Sequence, residues 1–171
     1  MDLRFIAPDL RALDDHPAEV IACCIWSDER PMRGLAGLLD WRLAGRISRL
    51  AKERFVKGDA GELLCMQGKP RLPFDKVLLV GAGTRAAFDA SACKAATAAL
   101  LRALEGLHVR RAVVELPGRS GGRIAPEIAA EIALEATRDS EAHDAWFLVE
   151  EAEAQAKILS RANEERRRVR S

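Results

Sequence analysis

Residues 76–116 read K-V-L-L-V-G-A-G-T-R-A-A-F-D-A-S-A-C-K-A-A-T-A-A-L-L-R-A-L-E-G-L-H-V-R-R-A-V-V-E-L. Lys76 to Val80 is an apolar run of strand length, the pattern of a strand covered on both faces. It stops at Gly81-Ala82-Gly83-Thr84. Asp89 then offers a side-chain acceptor to the first turn of a helix from Ala90 to about Leu104. That helix is rich in Ala, so its backbone can lie close to a sheet. Gly106 suits its C-terminal stop, and Arg111 to Leu116 is strand again. Strand, helix and strand at this spacing make a right-handed crossover between parallel strands.

The same reading extends outward in both directions. Leu3 to Ala7 is a short strand, and Asp14, Asp15 and Pro17 mark a turn. Glu19 to Trp26, E-V-I-A-C-C-I-W, is a second doubly covered strand. Ser27 to Arg33 is a loop. Leu35 to Arg54 reads as one helix, with Leu35, Leu39, Leu43, Ile47 and Leu50 in an apolar stripe and Arg42, Arg46, Arg49 and Glu53 in a polar one. Glu62 to Met66 is a strand, and Gly68 to Pro73 is a loop. Beyond Leu116 comes the glycine loop Pro117 to Gly122, then a helix from Pro126 to Thr137 with Ile128 and Ile132 inward. Ala145 to Val149 is the last strand. Glu151 to Arg168 is the last helix, with Ala152, Ala156, Leu159 and Ala162 as its apolar stripe. The charged tail from Glu164 is expected to fray. The order predicts a single α/β domain over residues 1–171, a three-layer αβα sandwich around a mixed, mostly parallel sheet.

Composition narrows the function classes. Apolar residues at 49 % and charged residues at 31 % describe a folded chain. A net charge of +1 gives the whole molecule no strong pull toward nucleic acid or a membrane. Cys23, Cys24, Cys65 and Cys93 match no zinc or redox spacing and read as buried free thiols. Met1 to Pro8 lacks the pattern of a signal peptide. No apolar run approaches the roughly 20 residues that span a bilayer, so a cytoplasmic location is expected.

Four stretches, in order, resemble the N-terminal domain of the M17 leucyl aminopeptidases. They are R-P-M-R-G-L-A-G-L-L-D-W-R-L-A-G from Arg30, F-V-K-G-D-A-G-E-L-L from Phe55, K-V-L-L-V-G-A-G from Lys76, and R-R-A-V-V-E-L-P from Arg110 after the small-residue helix. The resemblance spans about residues 18–150. It implies a macrodomain-like three-layer fold that takes part in oligomer contacts, so a homo-oligomer or a protein partner is expected. It also implies no catalysis. The family's two-metal site lies in a separate C-terminal domain around N-T-D-A-E-G-R-L, and this sequence has no such stretch. No metal ligand or catalytic residue carries over, and no cofactor is expected. Two-metal hydrolysis needs several converging carboxylates, whereas the acidic residues here are scattered. His16, His108 and His143 are isolated and read as surface or turn residues.

Gly118, Arg119, Ser120, Gly121 and Gly122 form the best candidate binding site. A glycine loop between a strand and a helix offers backbone N–H groups to an anion, and glycine permits close approach. Leu116 to Glu135 also resembles the macrodomain phosphate loop and helix, which in that family binds the diphosphate of ADP-ribose. The family's Asn-rich loop has no counterpart, since Ile25 to Arg30 reads I-W-S-D-E-R. A glycine turn without a ligand is the alternative. Gly81-Ala82-Gly83-Thr84-Arg85-Ala86 matches G-x-G-x-x-A, but its helix starts only after Asp89 and no acid sits at the end of the next strand at the right spacing. Arg42, Arg46 and Arg49, and the run Arg166 to Arg170, could contact phosphates. Interspersed glutamates make solvated helix faces the better account, so nucleic acid is not expected as a partner. Trp41 reads as a core residue, with a contact anchor as the alternative.

Three functions remain: an assembly or regulatory domain without catalysis, a binder of ADP-ribose or another phosphate-bearing ligand, and an accessory subunit of a split M17 aminopeptidase.

Overall fold

The computed structural model describes residues 2–169, and the side chains of all but Asp2, Leu3, Glu165, Arg166, Arg168 and Val169 among them. The elements are β1 (Asp2–Ile6), α1 (Leu10–Asp14), β2 (Val20–Ile25), α2 (Gly34–Arg42), α3 (Arg46–Lys52), β3 (Leu63–Gln67), β4 (Lys76–Gly81), α4 (Ala90–Gly106), β5 (Arg111–Val114), α5 (Pro126–Thr137), β6 (Ala145–Val149) and α6 (Ala152–Val169). The strands form one sheet in the order β1-β6-β5-β2-β4-β3. All neighbouring pairs are parallel except β3, which runs antiparallel to β4.

The apolar run of β2 is continuous because it serves two cores. Successive side chains of a strand point to opposite faces. Val20, Ala22 and Cys24 join the core under α4, α5 and α6, with Leu100, Ala133 and Trp146. Ile21, Cys23 and Ile25 join the core under α1, α2 and α3, with Leu13, Leu39 and Ile47. Every residue of β2 is buried. The Ala-rich face of α4 packs against the sheet through Cys93, Ala96 and Leu100, capped at its start by Asp89, whose carboxylate accepts from Ala92 N–H at 2.9 Å. The expected three-layer sandwich with a mostly parallel sheet is the observed one.

Several local expectations are corrected. The single helix over residues 35–54 is two, α2 and α3, broken at Ala44 and Gly45, with φ of 54° and 75°. Asp40 bridges the break: its carboxylate accepts from Ser48 N–H at 2.9 Å and from the Ser48 hydroxyl, so one side chain of α2 caps the start of α3. The apolar stripe continues across the break, with Leu39, Leu43 and Ile47 all buried, and so the periodicity conceals it. A short helix, α1, with Asp9 as its cap, stands unforeseen over Leu10–Asp14, and the chain turns after it at Asp15, as Asp14, Asp15 and Pro17 predict. Ile128 faces outward at 38 % exposure while Ile132 is buried, and α6 buries Ala154 and Ile158 instead of the expected stripe. Cys65 is exposed, although the other three cysteines are buried. His143 is buried rather than on the surface, with Nδ1 2.7 Å from the Val109 carbonyl. Trp41 is 73 % exposed and is not a core residue. The fraying expected from Glu164 falls partly on residues outside those described. Among the described residues no helix is long and apolar enough to cross a membrane.

Candidate functional site at the strand ends

The parallel strands end side by side, and ligands of open α/β sheets bind beyond such carboxyl ends where the chain reverses direction across the sheet. Here it reverses about β2, which lies between β4 and β5. The residues that follow the four inner strands are Trp26, Ala82, Glu115 and Glu150. The glycine loop lies at this end.

The five loop residues do different things. Gly118 has φ of 82°, and a Cβ there would lie 2.5 Å from Ile124 Cγ1 and 2.6 Å from a Phe88 ring carbon, so only glycine fits. Its carbonyl accepts from the N–H of Arg123 at 3.0 Å and of Ile124 at 3.1 Å. Arg119 turns inward. Its guanidinium donates to both carboxylate oxygens of Glu150, at 2.6 Å and 3.0 Å, and to the Ile124 carbonyl at 2.7 Å. Ser120 packs against Gly34, where a Cβ would come 2.8 Å from its hydroxyl oxygen. Gly121 lies beside Arg85 and the Trp26 indole. Gly122 and Arg119 line an open recess of about 420 Å³ with Pro126, Glu151, Glu153 and Lys157. Arg119 and Gly122 N–H groups are used within the loop, on Leu116 and Arg119 carbonyls. Those of Ser120 and Gly121 have no acceptor among the described residues.

Beneath the loop lie three buried acids, Glu29, Glu115 and Glu150. Glu150 is neutralised by Arg119, and Glu29 lies 3.4 Å from Arg85. Glu115 has no ion-pair partner among the described residues. One of its oxygens accepts from Leu35 N–H at 3.4 Å, and the other has no hydrogen-bond partner among the described residues. Burial pushes its pKa up to about 7, with the Glu150 and Glu29 charges adding to the rise against the Leu35 N–H and Arg119. Trp26 Nε1, next to Gly121, is also buried without a partner. These acids escaped the sequence reading, although a signal existed: V-V-E at Glu115 and L-V-E at Glu150 close two neighbouring strands in the same way.

The other candidate segments are accounted for locally. After Gly83, with φ of 75°, the chain turns before α4 starts at Ala90, and Gly83 accepts from Ser27 N–H at 2.9 Å. Arg42 is held by Asp14 through two bonds of 3.0 Å, so the expected arginine stripe is partly neutralised. Of the run Arg166 to Arg170, Arg170 and the side chains of Arg166, Arg168 and Val169 lie outside what is described. Among the described residues no three His, Cys, Asp or Glu side chains are grouped to hold a metal.

Residues 20–144 match the model of the cytosol aminopeptidase family, N-terminal domain. The chain belongs to this family. A probable cytosol aminopeptidase of Halorhodospira halophila is 30 % identical over 112 residues, which are 64 % of this chain and 22 % of that protein. The chain thus spans about a fifth of the length of that relative. Tomato leucine aminopeptidase superposes over 95 % of this chain and 35 % of its own, with a TM-score of 0.68 and 15 % identity. A Trypanosoma brucei macrodomain in complex with ADP superposes over 94 % of this chain and 69 % of its own, with a TM-score of 0.72 and 16 % identity. The family's N-terminal domain is macrodomain-like in fold, and so is this chain.

Two outcomes follow from the buried charges. Arg119→Ala strands Glu150 without its cation, and urea unfolding will show a loss of about 3–5 kcal/mol, most of it regained in Arg119→Met/Glu150→Leu; a single variant as stable as the parent would contradict the pairing. Glu115 holds its proton more tightly folded than unfolded, so it makes stability fall as pH rises from about 4.5 to about 7. Glu115→Gln removes that fall. Parallel unfolding series at pH 5 and pH 8 will show the variant gaining on the parent at the higher pH, and equal pH dependence would rule this out.

Proposed function

We propose that this domain acts in protein assembly or regulation of the aminopeptidase type and does not itself hydrolyse peptides. The observation that carries the reading is the division of its aromatic residues. Trp26, Trp146, Phe74 and Phe88 are buried, whereas Trp41 on α2 and Phe55 just after α3 stand 73 % and 72 % exposed. Both belong to the layer outside the second core. Large aromatic side chains in water are the usual anchors of protein contacts, because burying them removes much apolar area at little entropic cost. Light scattering over a concentration series will give a mass above that of one chain. Trp41→Ala will weaken the association about thirtyfold, as for an interface tryptophan worth about 2 kcal/mol. A mass of one chain at every concentration would sink the self-assembly form of the reading.

A second reading is a binder of ADP-ribose or another phosphate-bearing ligand through Gly118, Arg119, Ser120, Gly121 and Gly122. The observation in its favour is that the Ser120 and Gly121 N–H groups and Trp26 Nε1 have no partners among the described residues, side by side at the strand ends. The related fold of the Trypanosoma brucei macrodomain holds ADP. Against it, Arg119 is spent on Glu150, and Glu151 and Glu153 line the neighbouring recess. Titration calorimetry with ADP-ribose decides: heat that disappears in Gly121→Asp supports this reading, and no heat rejects it.

A further inference from the structure

The break between α2 and α3 lies across from the turn that follows β3. A recess of about 430 Å³ separates them, lined by Arg46 and Arg49 of α3 and by Gln67, Lys69 and Arg71 from the end of β3 and its turn. No acidic side chain lines it. Lys69 is paired with Asp75 at 2.7 Å. Arg46, Arg49 and Arg71 have no ion-pair or side-chain hydrogen-bond partner among the described residues. The acids nearest in sequence are spent elsewhere: Asp40 accepts from Ser48, and Asp14 holds Arg42.

Arg46 and Arg49 are neighbours one turn apart on α3, where like charges repel. Arg71 adds a third charge from the facing turn. A concavity lined by one sign of charge concentrates the field, and an anion seated in it relieves the repulsion. The backbone holds both walls. Gly45 N–H donates to the Asp40 carbonyl at 2.8 Å at the break. Leu72 N–H donates to the Gly68 carbonyl at 3.1 Å across the turn, and the buried side chains of Leu72 and Phe74 anchor it. Binding therefore has only side chains to order, which keeps its entropic cost low.

We propose that this recess binds a compact polyanion carrying two or more phosphoryl groups, held by Arg46, Arg49 and Arg71. A planar guanidinium matches a pair of phosphate oxygens, and three guanidinium groups exceed what one phosphoryl group can engage. No aromatic side chain lines the recess, so a nucleobase has nothing to stack on. A net charge of +1 leaves the attraction local, without the long-range pull that draws in a nucleic-acid strand. The recess shares no residue with the loop Gly118 to Gly122 or with Trp41 and Phe55, so the inference stands apart from both functional readings.

Titration calorimetry of the whole protein with tripolyphosphate tests it. One equivalent is expected to bind. Arg49→Ala and Arg71→Ala are each expected to weaken binding at least about tenfold, with unchanged far-ultraviolet spectra. Arg102→Ala, which removes an exposed arginine of α4, and Gly121→Asp are expected to leave it unchanged. No heat at millimolar ligand overturns the proposal. Binding that survives in Arg49→Ala and Arg71→Ala places the anion elsewhere and overturns it too, as does loss in Gly121→Asp, which moves the anion to the glycine loop. Sulfate that binds as tightly as tripolyphosphate at matched ionic strength reveals a counter-ion cloud only. ATP or a single-stranded oligonucleotide that binds more tightly than tripolyphosphate reveals a nucleotide or nucleic-acid surface. Each of these results overturns the compact polyanion.

Discussion

A strand buried on both faces has no side on which to keep a polar group, and β2 is such a strand along its whole length. Its neighbours β4 and β5 are almost as enclosed, and β6 beyond β5 is wholly so. Polarity is therefore pushed to the strand ends. At the carboxyl ends it takes the form of Trp26, Glu115 and Glu150, each immediately after the last residue of its strand. The helices on the two faces wall this end in, so these groups are polar without being wet. That explains why the candidate site is a buried network of acids and not an open cationic cradle. An unpaired charge in such a place is costly, and the molecule answers differently for each acid. Glu150 takes a guanidinium, Glu29 lies near one, and Glu115 holds its proton more tightly.

The Arg119–Glu150 pair in turn sets the shape of the glycine loop. A guanidinium bound to both oxygens of a carboxylate and to a carbonyl is fixed in orientation. Arg119 is fixed in this way, and Gly118 and Gly121 have positive φ on either side of it. Gly118 is required by the closeness of Ile124 and Phe88, with or without a ligand. A phosphate-binding loop and a loop folded over its own arginine share the same glycine pattern. They differ in where the arginine points, and here it points inward.

The parts of the fold legible in the sequence were those governed by one dominant signal. The runs at 20–25, 76–80 and 145–149 are apolar because both faces are covered, and nothing else of that length reads so. Asp89 and Pro126 mark the helix starts for local reasons that survive folding. What stayed hidden depends on contacts between distant residues. The split between α2 and α3 leaves the stripe of Leu39, Leu43 and Ile47 intact, so periodicity could not show it. Trp41 and Ile128 are apolar in helices yet face water, because the turn of each helix is set by its buried neighbours and a single residue does not vote. Arg119 could be assigned to the loop but not to Glu150, which lies 31 residues away.

The sheet separates two kinds of surface by construction. Parallel strands gather their carboxyl ends at one pole, where buried charge accumulates. The antiparallel strand β3 is added at one side, reached from β2 through α2, α3 and the glycine-containing turn at 57–61. Gly81 accepts that turn so closely that a Cβ would lie 2.0 Å from the Asp59 carbonyl oxygen. The side edge therefore abuts the inner sheet tightly through backbone, while its outer face receives no helix from this chain: α4 stops short of Leu63 and leaves a cavity of about 530 Å³ between them. A ligand at the pole and a protein at Trp41 and Phe55 would share no residue, so the two readings of the fold are separable by substitution in a single molecule.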